Sequence, residues 1–514
     1  MALPHPLPGG RISRYDNARM TGPDSTASKL IYGVDDRPPT GRAVVLALQH
    51  VLTMFGATVS VPLLLGPRMG MTEAQIAILI SSVMVCSGLA TLLQSTFGSR
   101  LPIIQGVSFS FLAVFFAIIA YGQDPEHPLT APEMMQYIAG AILAGAVVEI
   151  VVGFSGLFGW LRRGLSPVVI GPVIMLIGLA LFQHGAPKAG TYWPISGLTI
   201  AMIILFSLVL SRRLLVFRIF PILCAIVLAC GLCGLLTATG VFEPGHPAAV
   251  SLTAVHESAW LRANPAELVL PWGPPKFAIG FIVAALAGYL ASMIESFGDY
   301  HACAQMAGAP PPTEKQISRG IGCEGIGCAL TGLLGGFSST SYSENIGLVG
   351  LTKVGSRYVV QIGAVMLIGL GLFAKFGAFA ATIPSPVVGG LYCALFGLIS
   401  AVGIRQFAQA DLSSDRNLLI GGFILFMGLS VPAYFGGLSD YSPGWSEHSA
   451  ALATWLGDVV AMMGKEEWSA SFGQSCVGII AAIGSTGMAV AAVLGLLLDN
   501  LIPGTAKERG LATE

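Results

Sequence analysis

An all-α polytopic membrane fold is predicted for this chain by three observations. Of its 514 residues, 54% are apolar and only 10% are charged, where a soluble domain carries roughly 25% charged residues. The mean hydropathy is +0.76. Long apolar stretches recur along the chain with Gly, Pro and charged punctuation between them. One helical crossing takes about 20 apolar residues, so the length accommodates over a dozen. The 26 Lys and Arg nearly balance the 27 Asp and Glu, for a net charge of -1. That balance gives no general attraction for nucleic acid and no support for a phosphate-binding role.

The elements follow in order. Residues 1–40 are polar and rich in Pro, Gly, Ser and Arg, without the apolar core of roughly 7–15 residues that a secretory signal requires; a disordered cytoplasmic tail is expected there. Fourteen crossings are then read at 43–66, 74–95, 101–120, 137–158, 166–185, 194–210, 217–240, 277–300, 318–335, 339–352, 358–382, 385–402, 417–435 and 475–498. They form a first seven-segment repeat (41–240), an extracytoplasmic loop (241–275), a second seven-segment repeat (276–500) and a cytoplasmic C-terminal tail (501–514). A second polar stretch, 436–474, becomes another outer loop.

The distribution of positive charge supports this count. With the N-terminus inside, only Arg68, Lys188, Arg262, Lys276, Lys375 and Lys465 of the 26 basic residues fall outside or near the outer face. All the others lie in segments assigned to the cytoplasm, as the positive-inside rule requires. Both termini are therefore expected in the cytoplasm of a cell bounded by a bacterial inner or a eukaryotic plasma membrane. The nine cysteines fall almost wholly in apolar runs, where a thiol acts as a small hydrophobe. Cys230 and Cys233 form a CxxC without a nearby His or second CxxC, so structural filler is expected in place of a metal or redox site.

Seven crossings per unit turn the second unit upside down in the bilayer, and inverted repeats are a transporter signature. The third crossing of each unit breaks down, at Gly98-Ser-Arg-Leu-Pro-Ile-Ile-Gln-Gly-Val-Ser-Phe-Ser110 and at Gly335-Gly-Phe-Ser-Ser-Thr-Ser-Tyr-Ser-Glu-Asn-Ile-Gly347. Gly and Pro interrupt helical pairing there, which at bilayer depth is tolerated only around a buried cavity or ligand. Ser108 and Glu344 occupy comparable places in the two units, as halves of one central site. Re-entrant loops that only pack are the alternative.

An ionisable residue near the middle of a crossing costs roughly 2.5–3.5 kcal/mol on insertion scales, so its presence asks for a partner or a purpose. Glu295 and Asp299 lie four apart on one helix face, Glu324 in the ninth crossing and Glu344 in the broken tenth. No Lys or Arg lies at comparable depth, so some of these acids are expected to carry a proton, the chemistry of a proton-coupled carrier. Glu149 reads equally as a helix-to-helix hydrogen bond, and Asp299 alternatively as an interfacial residue at a helix end. His50, beside Gln49 in a long apolar run, either orients a carboxylate or is a satisfied core histidine. Enzymatic readings lack a constellation: there is no HExxH, phosphate loop or metal-spaced His and Cys set. An intramembrane protease with paired acids leaves the two broken segments unexplained. No cofactor and no metal are expected.

At these segments the sequence resembles the nucleobase-ascorbate transporter family, also called nucleobase:cation symporter-2. The matching blocks are QHVLTMFGATVSVPLLLG (49–66), RLPIIQGVSFSFL (100–112), ESFGDYHACAQMAGAPPPTEKQISRGIGCEGIGCALTGLLGG (295–336) and SENIGLVGLTKVGSRYVVQ (343–361). The resemblance implies fourteen crossings in two inverted repeats, a core domain from crossings 1–4 and 8–11, a gate domain from the rest, and short strands in crossings 3 and 10 flanking the substrate. By analogy with bacterial uracil permeases, Glu295 and Glu344 bind the base, with backbone near Phe109 and Ser343. Tyr342-Ser343-Glu344-Asn345 matches their Tyr-Gly-Glu-Asn. His50 and Ser108 support the site, and Asp299 and Glu324 match acidic positions tied to coupling.

Two departures bear on substrate. Block 295–336 looks closest to the vertebrate-type ascorbate branch, which has Pro where this chain has Glu344; purine carriers commonly have Gln. Asp299 stands where uracil permeases tend to carry His. A carboxylate repels anionic ascorbate unless protonated, but accepts the N–H donors of a neutral lactam with charge-assisted strength. The resulting expectation is a nucleobase symporter for uracil or a related oxopurine (xanthine, urate), coupled to H+ in preference to Na+ and working by alternating access. A homodimer is compatible with the architecture. The rivals are an ascorbate or other organic-anion carrier on the same fold and a channel-like pore.

Overall fold

The computed structural model describes residues 30–511 apart from 126–127, 162–163, 263, 436–450 and, within 451–485, residues 453, 457, 460–475, 478–479, 481–482 and 485. The expected outer loop 436–474 and the start of the fourteenth expected segment thus lie largely outside the described residues. Helix starts follow local chemistry. Helix α1 (Thr40–Leu65) is followed by α2 (Glu73–Thr96), whose N-terminus is closed by a Thr72–Gln75 capping box. Strand β1 (Gln105–Val107) and a tight turn at Phe109–Phe111 lead into the short α3 (Leu112–Gly122). A second capping box, Thr130–Glu133, starts α4 (Ala131–Ser155). Each box satisfies amide groups that have no partner inside the helix.

Ser166 and Pro167 open α5 (Pro167–Ala180); α6 (Phe182–Ala189), α7 (Trp193–Ile204) and α8 (Pro221–Ala238) complete the first repeat. The second repeat contains α9 (Ile279–Met306), α10 (Glu314–Leu333, capped by Thr313 and Gln316), β2 (Ser339–Ser341), α11 (Ser343–Thr352) and α12 (Arg357–Leu372). It continues with α13 (Ala374–Ala381), α14 (Ser385–Phe407), α15 (Asp415–Phe435) and α16 (Gly487–Leu501). Among the described residues, nine helices are long and apolar enough to cross a membrane. The broken third and tenth segments, the Glu- and Ser-bearing α10 and the short α12 and α16 are not among them.

The helices sort into two bodies. One packs α4 on α10 and α9, α2 on α12, α13 and α10, and α1 on α12. The other packs α14 against α5, α6 and α7, with α15 and α16 against α5. The two bodies correspond to the core and the gate expected from the sequence. β1 and β2, one from each repeat, pair antiparallel at the centre of the core, with Gln105 opposite Ser341 and Val107 opposite Ser339.

Both ends of the described chain are held by polar contacts. Residues 1–29 of the expected tail lie outside the described residues, but its last part is not a free tail. Ile31 donates its amide to the Lys353 carbonyl (2.8 Å), and Asp35 pairs with Arg357 (2.7 Å). The exposed carbonyls at the end of α11 and the guanidinium of Arg357 give this polar stretch partners. At the other end Asp499, buried in α16, pairs with Arg416 (3.0 Å) and with Arg509 (2.7 Å) of the C-terminal segment. All nine cysteines, including Cys230 and Cys233, are free thiols.

Candidate functional site

The strand pair sets the site. Ser108 donates its amide to the Ser338 carbonyl (2.9 Å) and Tyr342 donates its amide to that of Ile104 (3.0 Å), extending the pairing beyond both strand ends. Backbone groups released by the two helix breaks are thus paired across the repeats, which makes broken helices tolerable at this depth. The Tyr342 hydroxyl donates to the Val107 carbonyl (3.0 Å) and accepts from Thr58 (3.2 Å). Its ring lies over Gly106, where a Cβ would run into it. Beyond the strands, α3 and α11 begin, one helix N-terminus at each end of the strand pair.

Around this frame the acids fall into two classes. Glu324, 1% exposed, accepts from Ser292 (2.9 Å), Ser296 (2.6 Å) and the Tyr300 hydroxyl (3.1 Å). Ser296 also contacts Thr340 (3.2 Å) and Ser341 (3.0 Å) of β2. Asp299 accepts from Ser341 and Ser343, each at 2.8 Å. Glu324 is therefore wired to β2 through Ser296, and Asp299 to β2 and the start of α11. Glu295 is half-buried and Glu344 is exposed. Neither makes a hydrogen bond to another residue among the described residues, although Glu295 lies within electrostatic range of Glu344, Asp299 and Glu324.

The remaining expected residues take definite places. Phe109 is half-buried and packs against the hydrophobic clusters of both core and gate. Ser343 is half-buried, with its hydroxyl on Asp299. Ser108 is fully buried; its hydroxyl accepts the Ser110 amide (3.3 Å) and caps the turn into α3. Asn345 is buried and its amide reaches the His50 carbonyl (2.9 Å) and ring nitrogen (3.2 Å), which fixes the imidazole. Gln49 is half-buried and its side-chain amide oxygen has no hydrogen-bond partner among the described residues. Tyr342, Asn345 and Ser108 thus support the site from behind, while Glu295, Glu344, Ser343 and Phe109 reach its open side. Asp299 is not interfacial: it is buried and bound to β2 and α11.

Sequence reasoning missed the hydroxyl relay. Ser292, Ser296 and Tyr300 recur at helical spacing along one face of α9, a signal available in the sequence. Their acceptor, Glu324, comes from another helix. Gln105 of β1 was also missed; both its side-chain polar atoms are buried without a partner. Glu149 is buried beside the Cys328 thiol of α10, and its carboxyl oxygens have no nitrogen or oxygen donor within hydrogen-bonding distance among the described residues.

The site opens toward one end only. Positions 344, 347 and 351 form an exposed face of α11, and open space surrounds the Cα atoms of Gly298 and Gly347. Toward the other end, Phe111 packs on Tyr289 (ring centroids 4.7 Å apart) and Phe115 on Phe337 (5.1 Å), with all four side chains buried. The Tyr392 hydroxyl of the gate helix α14 donates to the Ser60 carbonyl of the core helix α1 (2.9 Å), closing the two bodies on that side.

Comparison with known proteins places this architecture. The profile of the permease family matches residues 41–437. Solute carrier family 23 member 1 of Rattus norvegicus is 36% identical, over 94% of this chain and 82% of its own length. Solute carrier family 23 member 2 of Homo sapiens is 36% identical, over 95% and 77%. Nucleobase-ascorbate transporter 1 of Arabidopsis thaliana is 36% identical, over 81% and 84%. In fold, the transmembrane domain of the cyanobacterial bicarbonate transporter BicA superposes with a TM-score of 0.52 at 15% identity, covering 77% of this chain and 96% of that one.

Proposed function

The chain belongs to the nucleobase-ascorbate transporter (solute carrier 23) family of permeases, and from that premise we propose that it is a proton-coupled symporter importing uracil or a related oxopurine such as xanthine or urate. The carrying observation is the pair Glu295 and Glu344, two acids beside the helix breaks that accept no hydrogen bond from another residue among the described residues, while Asp299 and Glu324 next to them are filled. A lactam N–H satisfies such an acceptor with charge-assisted strength. The helix-start amides at Phe109 and Ser343 suit its carbonyl oxygens.

The coupling step uses the second pair. Asp299 holds β2 and the start of α11, and Glu324 holds β2 through Ser296, so gain or loss of a proton there alters the donors available to the base-binding segment. With a loaded and neutralised site, the core moves against the gate and passes the base between the two sides. The N-terminus and the open end of the site are cytoplasmic in this reading, so the conformation faces inward. The membrane is the plasma membrane or its bacterial counterpart, and a homodimer is accommodated.

A second reading is an ascorbate or other organic-anion carrier on the same fold. It draws on relatives whose name couples nucleobases with ascorbate, and it requires a protonated Glu344. Uptake of labelled uracil, xanthine, urate and ascorbate, with and without a protonophore, decides between them. The expected result is saturable uptake of uracil or an oxopurine that collapses with the protonophore. Sodium-driven uptake of ascorbate alone overturns both the substrate and the coupling. Uptake without saturation or exchange with unlabelled base indicates a channel.

A further inference from the structure

A second cavity, of about 280 Å³, lies at the seam of core and gate on the closed side of the site. Its walls include Pro67 and Arg68 beyond the end of α1, His184 and Lys188 from α6, and Tyr392 from α14. The volume sits just under the roughly 300–1,000 Å³ common for small-molecule pockets. The lining contains no carboxylate.

The charge here is unusual for its surroundings. Of the basic residues that the charge distribution assigns to this face, the other described ones are occupied. Lys276 pairs with Glu133 (3.0 Å), Lys375 donates to the Val255 carbonyl (2.7 Å), and Arg262 donates to the Ile78 carbonyl and the Ser82 hydroxyl (both 3.2 Å). Arg68 and Lys188 have no ion-pair partner among the described residues. Instead they share one cavity, and the Arg68 charge bears on both Lys188 and His184. The Arg68 guanidinium lies 5.3 Å from the Phe116 ring centroid, and the His184 ring lies 4.1 Å from it. The His184 Nδ1 is buried without a hydrogen-bond partner. Two cations without an ion-pair partner in one cleft raise the local concentration of anions.

We propose that this cavity is a docking antechamber for a small planar organic monoanion on its way to the central site. Arg68 and Lys188 hold the charge and His184 supplies a directional hydrogen bond. Tyr392 forms the floor, and its bond to Ser60 separates the antechamber from the site until the gate swings away. The inference deepens the transport reading, because urate and ascorbate are anions at neutral pH while uracil is not. Its binding step, however, is measurable without transport.

The test uses the full-length purified chain in lipid nanodiscs. Lys188 is acylated with an amine-reactive ester in the presence of urate, uracil or chloride at matched ionic strength, and peptide masses report its labelling. Urate is expected to slow labelling of Lys188 about threefold or more and to leave Lys375 unaffected; uracil and chloride are expected to slow neither. Arg68→Gln is expected to remove the protection and Arg68→Lys to keep most of it. Equal labelling with and without urate overturns the proposal, and protection by chloride alone reduces the cavity to an inorganic-ion site. In cells, Lys188→Gln is expected to raise the KM for urate relative to uracil about fivefold with little change in kcat. Protection without any uptake leaves the antechamber standing and removes the transport reading; uptake without protection does the reverse.

Discussion

Four acids surround one pair of three-residue strands, and hydroxyl groups divide them. Glu324 and Asp299 are each held by two or more serine or tyrosine donors at 3.1 Å or less, while Glu295 and Glu344, within electrostatic reach, are held by none. All four are carboxylic acids, so charge type alone does not decide what an acid does here; the two filled ones are also the two buried ones. Supply of donors decides it. An acid with its lone pairs filled is part of the scaffold and signals through it, whereas an acid with empty lone pairs beside open space is ready for a ligand.

Removing the charge from the unfilled pair is expected to have the largest effect. Glu295→Gln and Glu344→Gln each replace a charge-assisted acceptor by a neutral amide, at a cost of about 1.5–3 kcal/mol in binding. That corresponds to roughly a ten- to hundredfold loss in kcat/KM for uracil uptake, with the protein still inserted in the membrane. Unchanged kinetics for either variant removes that residue from the site and leaves the division between the pairs without functional meaning.

The filled pair answers differently. Glu324→Gln keeps the size and some of the hydrogen bonds but cannot release a proton. Uptake driven by protons is expected to rise as external pH falls in the native protein and to lose most of that dependence in the variant, while exchange of base for base persists. The check is uptake across an imposed pH gradient, compared with exchange at equal pH. A pH profile identical to the native one places coupling elsewhere, with Asp299 as the remaining candidate. Ser296→Ala removes the hydroxyl that joins Glu324 to β2 and is expected to cost about 1–3 kcal/mol of stability, read as a lower unfolding midpoint in detergent.

The sequence exposed one side of this division clearly. The two Gly- and Ser-rich breaks and the acids at 295, 299, 324 and 344 stand out because each violates the rule for a plain crossing, and the broken segments do form the paired strands. Which acid is filled was not readable, because the donors arrive from other elements: Ser292 and Ser296 reach across to α10, and Ser341 and Ser343 reach back to α9. Asp299 illustrates the limit, since a position near a helix end looks interfacial until β2 is folded against it. The basic cavity was hidden for the same reason. Arg68 lies more than a hundred residues from His184 and Lys188, and in the sequence these cations register only as exceptions to the charge asymmetry. Local signals survived better: the Thr-x-x-Gln and Thr-x-x-Glu patterns at Thr72, Thr130 and Thr313 mark three helix starts where they stand.

A smaller effect is expected at the closed side, where a single neutral hydrogen bond joins gate to core. Tyr392→Phe deletes the donor to the Ser60 carbonyl and leaves the ring, which stacks on Phe396 at 5.4 Å. Such a bond is worth about 1 kcal/mol, so the balance between closed and opened forms on that side shifts by about fivefold. Backbone amides of the α1 end and of α14 around residue 392 are expected to exchange with deuterium faster by a comparable factor, while those of β1 and β2 remain protected. The Phe111–Tyr289 and Phe115–Phe337 contacts lie on the same side and do not depend on Tyr392, so unaltered exchange in the variant transfers the closure to this aromatic group. Faster exchange throughout the core instead means that Tyr392 stabilises the fold as a whole, and the separation of a stiff, hydroxyl-filled centre from a loosely latched outer seam then fails.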